Sequence, residues 1–331
     1  MIDITSLTAA AKIFPTTGRL SARNRWDHFL ARLGWKRGEH RVEPGLYALG
    51  QPTPDSPVFV TANYTLSFDA LRASLDGVDA YILVLDTKGI NVWCAAGKGT
   101  FGTEEIVQRV FATGLKNVVN HRKLILPQLG APGVAAHEVK KSTGFWIEYG
   151  PVRASDLPEY LKTHKATPEM RRVEFPLRER LVLIPVEIVQ TFLPTLLAAV
   201  VLYFLGGWVS SLAAAAAVFA GIVLFPILLP WLPTHNFSTK GFLLGGLAAL
   251  PFALSVFLRH PNWTWYRQAG QALEFLLAMP VVTAFIALNF TGSTTFTSRS
   301  GVKREMFAYI PAMAWTFGSG IRLGIVFAFV R

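Results

Sequence analysis

The chain contains a single cysteine, Cys94, within the run Asn91-Val92-Trp93-Cys94-Ala95-Ala96-Gly97-Lys98. A cysteine thiolate is a nucleophile and a soft metal ligand, so Cys94 is a candidate for either kind of chemistry. A lone cysteine near a strand end is more often a small buried hydrophobic residue, and the run by itself leaves that alternative open. A phosphate-binding loop is excluded, because the GxxxxGK[ST] pattern needs glycine in place of Val92 and serine or threonine in place of Gly99.

The presence of only one cysteine excludes several kinds of site. An internal disulfide, a CxxC zinc site and a protein-bound iron-sulfur cluster each need two or more thiolates. The seven histidines show no paired metal-ligand spacing, and no nucleic-acid-binding motif is evident. Redox chemistry would therefore depend on a bound organic cofactor or on the cluster of a partner protein.

Residues 46–165 alternate between strand and helix patterns. Apolar runs typical of strands occur at 58–61, 80–85, 123–126 and 145–149, and helical spacing at 67–75, 103–113, 134–140 and 155–163. This alternation predicts a parallel sheet with right-handed crossovers, and so a small Rossmann-like or flavodoxin-like α/β domain. Residues 1–45 are expected to be an irregular, basic lead-in.

In such a sheet the ligand lies beyond the carboxyl ends of the strands. The run that contains Cys94 follows the second predicted strand, and small residues in these loops would let the backbone approach a large flat ligand closely. Loop position alone nominates further binding residues: Thr61, Asn63, Gln128, Ala131, Arg153 and Ala154.

The carboxy-terminal half has the composition of a membrane domain. Residues 1–180 hold 24 Lys and Arg and 18 Asp and Glu, whereas residues 181–331 hold only 8 and 3. Apolar runs near the ~20 residues that cross a ~30 Å hydrocarbon core predict five transmembrane helices, at 182–205, 209–232, 241–258, 269–290 and 307–329. A charged linker at 166–180 precedes them. The positive-inside rule, and an amino terminus without the apolar core of a signal peptide, place the α/β domain in the cytoplasm.

Polar and small residues inside the spans suggest how the helices pack. Glu274 and Arg322 are expected at similar depths and are interpreted as a structural ion pair. The pairs Gly241 with Gly245 and Gly320 with Gly324 have the small-xxx-small spacing of close helix contacts. The polar stretch 291–306 is expected to be a cytoplasmic loop that contacts the α/β domain or its redox partner.

The run Asn91–Lys98 (NVWCAAGK) resembles the signature of the HgcA family of mercury-methylating corrinoid proteins, in a chain with the same layout of domain and spans. The segments VTANYTLSFDALR and AYILVLDTKGIN, and the stretch 291–306, also look like the corrinoid iron-sulfur protein of the acetyl-CoA pathway. That relative carries a set of cluster-binding cysteines that this chain does not have. Cluster binding is therefore not carried over.

The resemblance implies a cobalamin or related corrinoid bound to residues 46–165, with Cys94 as the lower ligand of cobalt. It implies a short cap helix under the corrin, formed by Asn91, Val92, Trp93, Ala95, Ala96, Gly97 and Lys98 around Cys94. We expect Asn91 to cap this helix and Trp93 to pack, while Lys98 either meets a propionamide or is solvated. A thiolate donates strongly to cobalt, which suits methyl transfer to an electrophile such as Hg(II).

The resemblance also implies partners. Because one cysteine cannot hold a cluster, electrons would come from a ferredoxin-like iron-sulfur protein, HgcB in this family, and the methyl group from a methyltransferase or methyl-folate. Three functions stay open: a methyltransferase that converts Hg(II) to methylmercury, a corrinoid methyl carrier of one-carbon metabolism, and a non-catalytic membrane protein that binds or imports a corrinoid. Few ionisable residues lie in the spans, which disfavours the third.

Overall fold

The computed structural model of the chain describes residues 12–291 and 299–329. The chain divides into two compact units, Met1–Glu174 and Phe175–Arg331. The first is called the sheet unit and the second the helical unit. The division falls inside the predicted linker at 166–180.

The sheet unit is built on a six-stranded mixed sheet with the order β1-β2-β4-β3-β5-β6. Strand β2 is antiparallel to β4, and the other neighbours are parallel. The four strands β3 to β6 therefore have the order second-first-third-fourth, as in flavodoxin-like sheets. The strands are β1 (Ile13–Thr16), β2 (Gly45–Leu49), β3 (Val58–Ala62), β4 (Ala80–Leu85), β5 (Lys123–Leu126) and β6 (Trp146–Tyr149).

Helices cover both faces of this sheet, which is why β3 and β4 are continuous apolar runs with every residue buried. One core cluster includes Leu83 and Phe101, and the other includes Ile82 and Tyr160. The helices of the sheet unit are α1 (Ala22–Leu33), α2 (Thr65–Ser74), α3 (Val92–Lys98), α4 (Thr103–Ala112), α5 (Leu115–Val118), α6 (Ala136–Thr143), α7 (Leu157–Thr163) and α8 (Pro168–Arg171), with 3₁₀ turns at Gln128–Gly133 and Ala154–Asp156.

The expected irregular lead-in is instead structured over its described residues. Residues 12–45 contain β1, α1 and the start of β2, and Ser21 caps α1 by accepting the Asn24 N–H at 3.2 Å. Strand β2 (GLYAL) has little strand propensity of its own. Pairing with β4 stabilises it, and it makes the sheet mixed instead of wholly parallel.

The helical unit contains four helical stretches that are long and apolar enough to cross a membrane, among the residues described: Leu177–Leu228, Phe237–Arg259, Trp265–Phe290 and Ser300–Phe327. Five separate helices are therefore not confirmed. The first stretch covers both of the first two predicted spans, and Gly207 (φ 77°, ψ −176°) interrupts its helical backbone between them. The helices are α9 (Leu177–Leu181), α10 (Ile184–Phe219), a π turn (Ala220–Leu224), α11 (Phe225–Leu228), α12 (Phe237–Arg259), α13 (Trp265–Phe290) and α14 (Arg299–Phe329).

The predicted glycine contacts are confirmed. A Cβ on Gly241 would lie 2.5 Å from the Ala284 Cα, and one on Gly245 would lie 2.6 Å from the Pro280 Cα. Both distances are too short for any side chain larger than glycine. The glycines therefore let the backbones of α12 and α13 approach each other.

The predicted ion pair between Glu274 and Arg322 is wrong for the described side chains. Glu274 faces α14 at Gly324, where an added Cβ would lie 2.8 Å from the Glu274 Oε1. Arg322 is exposed and forms no salt bridge with Glu274. Residues two apart on a helix point in different directions, so α14 presents either Gly324 or Arg322 to Glu274 but not both.

The polar stretch 291–306 is only partly a loop. Residues 292–298 lie outside the described residues, so the contact predicted for this stretch stays a prediction there. Residues 299–306 form the first turns of α14. The prediction of a loop is wrong for that second half.

Candidate functional site

Cys94 is the third residue of α3, which follows β4 at the carboxyl end of the strand. The Asn91 side chain accepts the Cys94 N–H at 2.9 Å, so the predicted cap is confirmed. Ala95 and Ala96 are buried in the core beneath the helix, while Cys94 is half-buried. The helix therefore packs on its alanine face and leaves the thiol accessible at the ligand end of the sheet.

The other residues of the α3 run divide by exposure. Val92 and Trp93 are half-buried, and Val92 packs against the same core cluster as the alanines. Gly97 and Lys98 are exposed. The helix ends at Gly99, whose φ of 86° is a left-handed conformation that favours glycine.

The turn that leads into α3 is held by Asn63, at the end of β3. The Asn63 Oδ1 accepts the Thr87 N–H at 3.1 Å and the Gly89 N–H at 3.0 Å. The Thr87 hydroxyl lies 2.9 Å from the same oxygen and 2.6 Å from the Ile90 carbonyl oxygen, and its one proton is shared between them. The Asn63 Nδ2 donates to the Asp86 Oδ1 at 3.1 Å. Asn63 is 1% exposed, and these bonds hold the turn in front of the Cys94 helix.

Thr61 is buried within β3 and paired with Val84 of β4. The structure therefore places both candidates from the first predicted strand inside the protein. Contact of Thr61 or Asn63 with a corrin stays a prediction.

The 3₁₀ turn Gln128–Gly133 packs beside α3, where the two backbones come close together. A Cβ on Gly133 would overlap the Phe101 carbonyl oxygen and lie 3.0 Å from the Ala96 Cα. Ala131 is half-buried in the same turn, and the buried Gln128 Oε1 has no hydrogen-bond partner among the described residues. The turn thus brings Gln128 and Ala131 to the ligand end of the sheet, with one unsatisfied acceptor.

Residues 38–42 line another side of this edge. The Thr65 N–H donates to the His40 carbonyl at 3.1 Å, and the Val42 N–H donates to the Asn63 carbonyl at 2.8 Å. A Cβ on Gly89 would lie 3.5 Å from the Gly38 carbonyl oxygen. The segment that was expected to be irregular therefore braces the turn in front of α3.

Tyr64 is a site residue that sequence reasoning missed. Burial raises the pKa of the Tyr64 hydroxyl above its ordinary value of 10.0. The charge of Arg37 opposes that rise, and the charge of Cys94 adds to it. Tyr64 forms an isolated β-bridge with Arg41 and so joins the 38–42 segment, and only its position directly after Asn63 could have suggested this.

Arg153 and Ala154 follow the end of β6. Arg153 pairs with Glu174, with 3.3 Å between the Arg153 Nη2 and the Glu174 Oε2, and Ala154 packs against the second core cluster. Arg153 lines a cavity of 270 Å³ whose described lining residues include none from α3. The Gln128 N–H donates to the Pro151 carbonyl at 3.4 Å, so the end of β6 adjoins the 3₁₀ turn, and corrin contact by Arg153 or Ala154 stays a prediction.

The family match with known proteins lies within the sheet unit. Residues 36–161 match the family described as CO dehydrogenase/acetyl-CoA synthase delta subunit. The sheet unit is similar to this family. The matched range contains β3, the Asn63 turn and the Cys94 helix, and it ends before the helical unit begins.

Two curated relatives are also similar to part of this chain. Acetyl-CoA decarbonylase/synthase complex subunit gamma of Methanopyrus kandleri is 34% identical over 128 residues, which cover 38% of this chain and 27% of the relative. The corrinoid/iron-sulfur protein large subunit of Moorella thermoacetica is 28% identical over 150 residues, or 43% of this chain and 33% of the relative. The chain thus spans between a quarter and a third of the length of these relatives.

Proposed function

We propose that the sheet unit binds a corrinoid and carries a methyl group on its cobalt, with Cys94 as the lower cobalt ligand. One observation carries the proposal: Cys94 is the accessible thiol of a capped helix at the ligand end of a sheet that is similar to a corrinoid/iron-sulfur protein large subunit. The cap, the alanine face and the Asn63 turn all hold this helix in place.

The residues at this edge fit a corrinoid. Gln128 has a buried oxygen without a donor, which matches the amide N–H groups on the rim of a corrin. Lys98 is exposed on the same helix as Cys94 and is a further candidate for that rim. Ala131 and the glycines of the 3₁₀ turn add little bulk above the backbone, as a broad flat ligand requires.

Cys94 would set the direction of the chemistry. The corrinoid supplies a cobalt-bound methyl group, and a thiolate below the metal donates more electron density than neutral imidazole does. Metal coordination would hold the Cys94 sulfur deprotonated. That donation favours departure of the methyl group with its bonding electrons, and it therefore favours an electrophilic acceptor.

Two functions have separate support. The relatives named for acetyl-CoA decarbonylase/synthase support a methyl carrier of one-carbon metabolism. The Asn91–Lys98 run and the thiolate ligand that it implies support Hg(II), with methylmercury as the product. Electrons would then come from a ferredoxin-like iron-sulfur protein, and the methyl group from a methyltransferase or methyl-folate.

The helical unit would hold this chemistry at a membrane. Four stretches of the described chain have the length and apolarity to span a bilayer. We infer from the positive-inside rule that the start of the first stretch, with Arg178 and Arg180, and the start of the last, with Lys303 and Arg304, lie in the cytoplasm. Arg180 donates to the carbonyls of Pro226 and Ile227, so the first stretch begins and ends on the same side and would cross the bilayer twice, before and after Gly207. We therefore propose an inner-membrane protein with its sheet unit in the cytoplasm.

A single-turnover assay tests both the ligand and the acceptor. Full-length protein is reconstituted with methylcobalamin, mixed with Hg(II) without a reductant, and the methylmercury is quantified. We expect about one equivalent from the parent, and we expect Cys94→His to retain the corrinoid but to transfer little.

Lys116→Gln, a change outside the candidate site, is the matched control and should behave as the parent. Efficient transfer by Cys94→His would contradict the role of the thiolate. Corrinoid binding without any transfer to Hg(II) would reject mercury and leave the one-carbon carrier.

A further inference from the structure

A second cavity lies wholly within the helical unit and is not part of the Cys94 site. It has a volume of 490 Å³ and is bounded by α9, the connection before α12, and the first turns of α12 and α14. Part of its wall is apolar, formed by Phe175, Leu229, Pro230, Phe237 and Val302. The rest is polar and carries Arg180, Lys240, His235 and Glu305.

Arg180 is the most deeply buried of these charges, at 5% exposure. Its Nε donates to the Phe175 carbonyl at 3.1 Å, and its Nη1 donates to the carbonyls of Pro226 at 2.7 Å and Ile227 at 2.6 Å. In the described part of the chain, the Nη2 atom makes no hydrogen bond. One edge of a buried guanidinium in the cavity wall therefore has two N–H groups without an acceptor.

Lys240, on α12, is a second cation in the cavity wall with more N–H groups than described acceptors. Its Nζ donates to the Leu229 carbonyl at 3.0 Å, which uses one of the three N–H groups of an ammonium ion. Arg180 and Lys240 thus approach the end of α11 from two elements. Both line the same cavity, and both have donors left over among the contacts described.

The charge of the cavity is not balanced by its own wall. Glu305 is the one carboxylate among the described lining residues, and its Oε1 already accepts the Ser238 N–H at 2.6 Å. Two cations face one engaged carboxylate. An uncompensated charge in a partly apolar site is costly, so an added anion would stabilise this arrangement.

The ligand must combine an anionic group with an apolar body. The cavity lies beside the basic ends of the first and last stretches, where the headgroup region of a cytoplasmic leaflet would be. Basic pockets between membrane helices on that side are suited to anionic lipid headgroups. We propose that Arg180 and Lys240 bind the phosphate of an anionic phospholipid, with the apolar wall against the lipid body.

The test uses the full-length protein in neutral detergent and native mass spectrometry. Phosphatidylglycerol and phosphatidylcholine are titrated separately, and inorganic phosphate is titrated as a third probe. Lys240→Gln removes the charge but keeps a donor for the Leu229 carbonyl, so the end of α11 stays capped. Loss of one charge-assisted hydrogen bond should weaken phosphatidylglycerol binding by about tenfold.

Arg259→Gln, at the other end of the same helix, is the matched control and should bind as the parent does. Lys240→Arg should restore binding, because it restores the charge. Phosphate binding that depends on Lys240, without lipid binding, supports the anion site with free phosphate as its source. Equal binding of both lipids, or an unchanged Lys240→Gln protein, overturns the proposal.

Discussion

Replacement of Asn63 by alanine should destabilise the Cys94 helix, although Asn63 is not part of that helix. The Asn63 Oδ1 accepts the Gly89 N–H, and it shares the Thr87 N–H with the Leu85 carbonyl. In Asn63→Ala the Gly89 N–H stays buried without that acceptor. The turn in front of α3 then keeps the Thr87 hydroxyl bond to the Ile90 carbonyl, the backbone bonds from Thr87 to Leu85 and from Ile90 to Thr87, and the bond from the Asp86 N–H to Glu105.

The expected loss in the free energy of unfolding follows from these contacts. An orphaned buried donor costs about 1–3 kcal/mol, and each of the two weaker losses, at Thr87 and Asp86, costs about 0.5–1.5 kcal/mol. The sum centres on about 3–4 kcal/mol. That is a large part of the ~5–15 kcal/mol that stabilises a typical domain.

The assay is urea unfolding of a fragment that covers residues 1–174, together with hydrogen exchange of the full-length protein. Asn120→Ala is the matched control, because that exposed amide makes one hydrogen bond to Asp55, at 3.0 Å, and should cost under about 0.5 kcal/mol. The exchange of the Gly89 amide should accelerate in Asn63→Ala only. If Asn63→Ala loses less than about 1 kcal/mol, or exchange at Gly89 is unchanged, the Asn63 turn does not support α3 as described.

Two further predictions use glycines at close backbone contacts, each with a glycine control that has open space around it. Gly133→Ala should destabilise the sheet unit by about 1–3 kcal/mol and weaken corrinoid binding, because the added Cβ meets the Phe101 backbone. Gly38→Ala, which has open space around the added Cβ, should leave the free energy of unfolding unchanged; unfolding and spectral titrations measure the two effects. Gly245→Ala should lower the thermal stability of the full-length protein in detergent by forcing α12 from α13, whereas Gly246→Ala should not; equal melting temperatures would contradict that packing.

Much of the sheet unit could be predicted because its strands are locally encoded. The four parallel strands β3 to β6 appear in the sequence as apolar runs, and helical spacing marks the segments between them. Strands β1 (IFPT) and β2 (GLYAL) were missed because proline and glycine weaken the local pattern. Their pairing with each other and with β4 is a tertiary effect that no short window contains.

The site was predictable at α3 and less so around it. The resemblance implied a cap helix around Cys94 with Asn91 as its cap, and that cap is confirmed because the two residues are only three positions apart. The role of Asn63 depends on groups 24 to 26 residues further along the chain. A buried structural amide and a ligand-binding amide are therefore indistinguishable in the sequence.

The structure of the membrane half could likewise be predicted only in part. Hydropathy predicted apolar helices correctly, but it could not show that Gly207 would interrupt a single helical stretch where two spans were expected. The expected pairing of Glu274 with Arg322 used depth alone. Helix rotation decides that contact, and it places Gly324 against the carboxylate.

The most direct test of the account is cobalt K-edge X-ray absorption of the full-length protein loaded with a corrinoid. Cys94 supplies the protein's only thiol, so a sulfur in the first shell of cobalt can be assigned to it when compared with Cys94→Ala. We predict one sulfur neighbour in the parent and none in the variant. Absence of sulfur at cobalt in the parent, or identical spectra of the parent and Cys94→Ala, would contradict Cys94 as the lower ligand.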